Sequence, residues 1–326
     1  MSPSAVPAGP VVRTVLGDLA SGLLGATNYH EHLFQETPLL PGDELDDESA
    51  SAREASLLRQ SGFAAMVDAT PFGLGRSPSG LARISAATGL RVVATTGRHR
   101  EAHYAHDHPT RGWDADTLAA LCISDLTTGM PEDDADPLGP PAAAPGGAPV
   151  LAGILKGGVD YWSISEFEQV TLEAIAAAHA ATGAPIMIHL EFCTAAHEVL
   201  DLLEREGVPA QRVVLAHADR DPDPLLHAAL AERGAYLGYD GAARPRTRSD
   251  AELVALTARL VEAGHAERIL LGGDVARRSR YVSYGGMPGL GYLGERYLPR
   301  LRAAVGNAAV NTMVCENPAR LLTIQQ

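Results

Sequence analysis

Eight short apolar runs, separated by helical patterns, restrict this chain more than any other feature. The runs are 24–33, 63–69, 91–96, 151–156, 185–190, 212–217, 235–239 and 268–273. Runs of that length read as buried strands. The clearest helix between them is 165–182, where Ser165 and Glu168 form a capping box and Gly183 is the stop. A second, 223–233, opens on Asp223-Pro224 and ends at Gly234. A third, 249–263, opens on Ser249 and ends at Gly264. Eight such alternations predict an α/β fold, a parallel (β/α)8 TIM barrel, as one domain over 1–326. The alternative is an open doubly wound sheet, but no GxGxxG follows the first strand.

Composition agrees with layered packing. The chain is 46% hydrophobic but only 5% aromatic, so its core must be built from Ala, Val, Leu and Ile. A formal net charge of −14 argues against nucleic-acid or anionic-membrane partners and leaves a small-molecule substrate. Cys122, Cys193 and Cys315 are odd in number and far apart, which suggests a reducing cytoplasm. Arg13 and Asp18 interrupt the first apolar stretch, so no signal peptide is expected. No run nears the roughly 18 apolar residues of a membrane span. Residues 131–149, rich in Pro, Ala and Asp, read as a flexible surface insertion before the fourth strand.

The chain has 25 arginines and one lysine, Lys156, which ends an apolar strand. A buried ammonium is costly unless it is paired, deprotonated or modified. Other strand ends carry metal-ligand chemistry. His30 and His32 close the first strand and share a face. His189 and His217 lie at the fifth and sixth strand ends, and Asp274 follows the eighth. In a barrel the C-terminal strand ends build the active site. Four His, one Lys and one Asp there make a six-member donor set suited to two divalent metals. A neutral lysine amine can join it by adding carbon dioxide, giving a carbamate that bridges two cations.

The sequence resembles the phosphotriesterase family of the amidohydrolase superfamily, from about Gly25 to the C-terminus. The resemblance rests on His30-Glu31-His32, Gly153-Ile154-Leu155-Lys156 and Thr182-Gly183-Ala184-Pro185-Ile186-Met187-Ile188-His189. It continues in Val214-Leu215-Ala216-His217 and Leu271-Gly272-Gly273-Asp274. It implies that His30, His32 and Asp274 hold the more buried metal, and His189 and His217 the more exposed one. Carbamylated Lys156 and a hydroxide would bridge them. Zinc is the first expectation, with manganese, iron or cobalt as alternatives. The resemblance also implies a homodimer, and Asp274 as the residue that takes the proton from the attacking water.

Two loops set the substrate question. Arg244, Arg246 and Arg248 follow the seventh strand; Arg277, Arg278 and Arg280 follow the eighth. Two readings stand: a solvated, salt-bridged rim, or an anion site, since guanidinium forks suit phosphate and carboxylate. The stretch from Asp274 to Leu293 is similar to the loop of relatives that hydrolyse phosphorylated sugar lactones. That likeness assigns phosphate contact to Arg277. The subgroup's Tyr, six places after the Asp, is Arg280 here, with Tyr281 alongside. Arg244, Arg277, Arg280 and Tyr281 are therefore the substrate-binding candidates. The expected reaction is opening of a small anionic sugar lactone. A carboxylester or organophosphate hydrolase is the alternative, and a Schiff-base aldolase using Lys156 is a rival of another class. His99, His103, His106 and His108 are read as rim or substrate-loop residues rather than a further metal site. A Cys193–His189 nucleophile pair is disfavoured, because metals already supply the nucleophile.

Overall fold

The computed structural model describes residues 9–324 apart from residue 245. The barrel strands are Thr27–Glu31, Ala65–Asp68, Arg91–Gly97, Ala152–Val159, Ile186–Leu190, Val213–Ala216, Tyr236–Tyr239 and Ile269–Leu271. Each pairs in parallel with the next. The eight form a nearly closed barrel. Where the last meets the first, the Asp274 amide donates to the His30 carbonyl at 3.0 Å, and the Gly273 amide to Asn28 Oδ1 at 3.2 Å.

Period-two alternation divides the apolar residues into two cores. Val67, Ile154, Met187, Val214 and Leu270 point into the barrel. Met66, Leu155, Ile188, Leu215 and Leu271 point out, into the layer shared with the helices. Burying each large side chain there contributes roughly 1.5–3 kcal/mol. An antiparallel sheet of Thr323–Ile324, Val11–Thr14 and Gly17–Ala20 brings Val12, with nearby Leu321 and Leu322, onto the inner core. That apolar plug fills the end where the strands begin and leaves the opposite end for polar groups.

All eight expected strands are present, with shifted ends. The fourth runs on to Val159, so Lys156 sits inside the strand rather than at its end. Gly97 lies opposite it with φ +108°, and a Cβ there would come within 2.2 Å of the Lys156 carbonyl oxygen, so glycine is required. The three expected helices are Glu166–Thr182, Pro224–Glu232 and Asp250–Glu262. Ser165–Glu168 and Ser249–Glu252 are complete capping boxes, and Asp223 caps the remaining helix through the Leu225 amide. Each cap is worth about 1 kcal/mol.

Residues 131–149 are more ordered than a linker. Isolated antiparallel bridges join Pro131 to Pro141 and Ala143 to Pro149, and Ala142 is fully buried. Asp134 pairs with buried Arg76 at 2.6 Å, and Glu132 accepts from Ser79 at 2.6 Å. Backbone pairing and these ion contacts offset the Pro-rich composition. Among the described residues, no helix is long and apolar enough to cross a membrane.

Candidate metal centre and active site

The alternation that buries Ile154 and Met187 inside the barrel also turns Lys156 and His189, two positions on, to the same face. His30, His32, His217 and Asp274 arrive from the first, sixth and eighth strand ends. The imidazole centroids of His30 and His217 are 5.0 Å apart, and those of His189 and His217 are 4.5 Å apart. All four histidines and Asp274 line one cavity of about 300 Å³. Its walls carry Gln35, His99, His103, Glu191 and four arginines, Arg100, Arg220, Arg244 and Arg277. His217 and Asp274 have positive φ, +62° and +40°. Strained backbone of this kind is held only where surrounding structure fixes it.

Hydrogen bonding sets where each imidazole keeps its proton. Asp240 accepts from His217 Nδ1 at 2.7 Å and from His30 Nδ1 at 3.2 Å, and Tyr29 also donates to it. The Thr70 hydroxyl gives its hydrogen to the Phe34 carbonyl at 2.7 Å, so it accepts from His32 Nδ1 at 2.7 Å. Glu191 accepts from His189 Nε2 at 2.8 Å. In each neutral ring the other nitrogen is then a lone pair, and these lone pairs converge. His30 Nε2 and His32 Nε2 lie 3.8 and 3.7 Å from Asp274 Oδ1. His217 Nε2 and His189 Nδ1 face each other at 2.8 Å.

Two lone pairs aimed at one another are relieved when both bind one cation. Outer acceptors that fix a metal-facing nitrogen are the usual support of a histidine metal site. The donor set therefore fits divalent metal. Among the described residues, two groups of three converge closely enough to hold an ion: His30–His32–Asp274 and His30–His217–Asp240. The second reads better as hydrogen bonding, because its short contacts are Nδ1-to-carboxylate bonds.

Burial governs the electrostatics. It pushes the His32 and His189 imidazoliums well below their usual range, helped by neighbouring Lys156 and His99 respectively. It lowers His217 to about 4, with Arg220 adding to the effect and Asp240 opposing it. These rings are neutral near pH 7, as metal ligands must be. Burial alone would raise Asp240 and Asp274. For Asp240, His217 and His30 outweigh it; for Asp274, Arg244, His30 and His217 do. Both carboxylates stay ionised. Burial also brings Lys156 down to about 8, against Asp274, Asp68 and Asp240. Lys156 is fully buried, its Nζ donates to the Ala69 carbonyl at 2.8 Å, and it is not among the cavity-lining residues.

The structure brings five of the six expected ligand residues, His30, His32, His189, His217 and Asp274, into one cavity, with Lys156 buried outside its lining, and it divides the substrate candidates. Arg244 lines the cavity and pairs with Asp274 Oδ2 at 2.5 Å. Arg277 stands at the rim, its side chain 44% exposed and 3.8 Å from Asp43. Arg280 instead donates to the Ala243 and Val275 carbonyls at 3.2 and 3.3 Å. Tyr281 is fully buried, and its hydroxyl donates to the His32 carbonyl. These two residues brace the loop. Arg278 follows the rim reading, paired with Asp46 at 2.6 Å. His99 and His103 stack in the cavity with centroids 3.6 Å apart, whereas His106 and His108 border other hollows. Cys193 is buried, and burial pushes its thiol up to about 12, so it offers no thiolate.

Sequence reasoning missed Asp240, Glu191, Arg100 and Arg220. Asp240 and Glu191 directly follow the seventh and fifth strands, so the strand-end rule that selected the histidines would have found them.

A sequence model of the phosphotriesterase family matches residues 10–322. The chain belongs to that family. It is a phosphotriesterase-family hydrolase acting on ester bonds. A phospho-furanose lactonase of Mycoplasmopsis synoviae is 28% identical over 332 residues, covering 96% of this chain and 92% of its own. Among solved structures, a lactonase from Listeria monocytogenes superposes with TM-score 0.85 and 28% identity over 97% of this chain and 100% of the other. The phosphotriesterase homology protein of Escherichia coli, solved with phosphate in its active site, gives TM-score 0.81 and 26% identity, covering 92% and 99%.

Proposed function

We propose that this phosphotriesterase-family hydrolase is a lactonase for small anionic sugar lactones, phosphorylated ones foremost. The observation that carries the reading is one cavity in which converging imidazole lone pairs lie beside four guanidinium groups. The phospho-furanose lactonase relative and the phosphate held by the Escherichia coli homologue support it. Gln35, Arg100, His103 and Arg244 are among the polar side chains of the lining, which suits a ligand rich in oxygen. Among the described residues the lining has no Phe, Tyr or Trp, so nothing there favours an aryl phosphotriester.

His30, His32 and Asp274 would hold one divalent cation, His189 and His217 a second, with zinc first and manganese, iron or cobalt as alternatives. When bound, such a pair supplies Lewis acidity for the lactone carbonyl and makes water acidic enough to attack near neutral pH. Lys156 prepares the space between the ligand sets. Its neutral Nζ adds to the carbon of carbon dioxide and loses one proton to solvent, leaving a carbamate on the lysine stem. Asp274 takes the proton of the attacking water at Oδ2 and passes it to the alkoxide released when the ring opens. Arg244, beside that oxygen, keeps Asp274 from holding the proton. Arginines inside the cavity, rather than Arg277 at its rim, orient the substrate's anionic group. The same family reading has the protein acting as a homodimer, and its few, widely spaced cysteines suit the cytoplasm.

The aldolase rival is disfavoured by membership of a hydrolase family. Paired assays of the metal-loaded protein test the proposal. The expected order of kcat/KM is phosphorylated aldonolactone, then neutral lactone, then aryl phosphotriester. Turnover of the triester with no lactone opening would overturn it.

A further inference from the structure

The arginine expected to hold the substrate's phosphate, Arg277, stands at the rim. Deeper in the cavity lies a second group built around one carboxylate oxygen. Glu191 Oε1 has His189 Nε2 at 2.8 Å, Arg100 Nη2 at 3.1 Å and Arg220 Nη1 at 3.7 Å. Arg100 is further paired with Asp160 at 2.9 Å. Arg220 differs. Among the described residues its guanidinium has no hydrogen bond: its nearest carboxylate oxygens, on Glu191 and Asp274, are 3.7 and 3.6 Å away. Its side chain is only 16% exposed, and it lines the cavity. A guanidinium carries five N–H donors in a rigid fork. The Arg220 nitrogens still reach the water of the cavity, so a ligand entering there can engage them.

Position adds a second argument. Arg220 follows His217 by three residues, and a short 3-10 turn at Ala218–Arg220 carries it back over the ligand set. It therefore stands between Asp274, which faces the reacting carbonyl, and Glu191, which orients His189. An anion placed there sits a fixed distance from the hydrolytic centre. The rim around Arg277 offers no such constraint.

We infer that Arg220, supported by Arg100 across Glu191, holds the phosphate or carboxylate of the substrate and sets the preference for anionic lactones. Arg277 only draws anions toward the cavity mouth. This rests on the lactonase reading above for the reaction, but not for the binding step. Glu191 is a positioning residue: it keeps the two guanidiniums side by side and holds the proton on His189 Nε2.

Two measurements on the metal-loaded protein test this. The first is calorimetric binding of glycerol 3-phosphate, with glycerol as the uncharged control. Arg220→Ala should weaken glycerol 3-phosphate at least tenfold, Arg220→Lys should retain part of the affinity, and Arg277→Ala should change it less than threefold. Among the described residues Arg220 donates no side-chain hydrogen bond, so these variants should remain folded, as thermal unfolding would verify. The second is a split of KM and kcat. Arg220→Ala should raise KM for a phosphorylated lactone tenfold or more and raise it far less for a neutral lactone.

If Arg220→Ala binds glycerol 3-phosphate as the native protein does, or if Arg277→Ala carries the loss, the inference is wrong. If affinity for both lactones falls equally, Arg220 is structural and the inference is again wrong. A native protein that opens no lactone but binds glycerol 3-phosphate through Arg220 would overturn the lactonase reading and leave the anion site standing.

Discussion

His217 Nε2 and His189 Nδ1 face each other at 2.8 Å, each with its opposite nitrogen held by a carboxylate. Two neutral rings in that arrangement repel, and a shared cation turns the repulsion into attraction. Metal should therefore stabilise the fold as well as activate it. At free metal one hundred times Kd, one site adds about 2.7 kcal/mol. Stripped protein should melt several degrees lower than loaded protein, and equal melting temperatures would count against the site.

Asp240 joins His30, His217 and Tyr29. Asp240→Asn removes the charge that fixes both tautomers. Metal affinity should fall about 10–100-fold in a chelator competition. Unchanged affinity would reduce Asp240 to a packing residue.

Lys156→Ala should lose most metal and activity, and formate or acetate should restore part of both by filling the vacated space. Full activity without a carboxylate would remove Lys156 from the bridge.

The buried lysine also predicts a pH dependence of the metal-free protein. Burial brings Lys156 from 10.5 down to about 8 in the folded state. Between these values the unfolded chain holds the extra proton, so this group's contribution to stability rises with pH. Below about pH 8 both states are protonated and the burial penalty is felt in full. The difference is on the order of 3 kcal/mol. Urea unfolding at pH 7.5 and 10.5 should show that gain for native protein relative to Lys156→Met, which lacks the group. Parallel pH profiles would contradict it.

Tyr281→Phe leaves the His32 carbonyl without its hydroxyl donor. The expected cost is about 1 kcal/mol of stability, with lactone KM values changed less than twofold. A large rise in KM would return Tyr281 to the substrate-binding residues.

The outcomes for these residues show what sequence pattern carries. Period-two alternation gave Lys156 and His189 the inward face without reference to any loop, and the capping boxes at Ser165 and Ser249 located two helices. What failed depended on loop paths. Arg280 and Tyr281 follow Asp274 closely, but a 3-10 turn at Arg278–Arg280 folds the chain back, so both point into the loop's interior. Arg100 and Arg220 were hidden by the abundance of arginine: nothing in 25 copies marks the two that meet at Glu191. The 131–149 segment has a linker's composition, yet pairs its backbone and buries Ala142.

The central claim is that two cations share this cavity and that hydrolysis depends on both. Titrating metal into stripped protein while following lactone opening tests it most directly. Activity should climb until two equivalents per chain are bound and then level off. Full activity at one equivalent, or turnover by the stripped protein, would contradict the account.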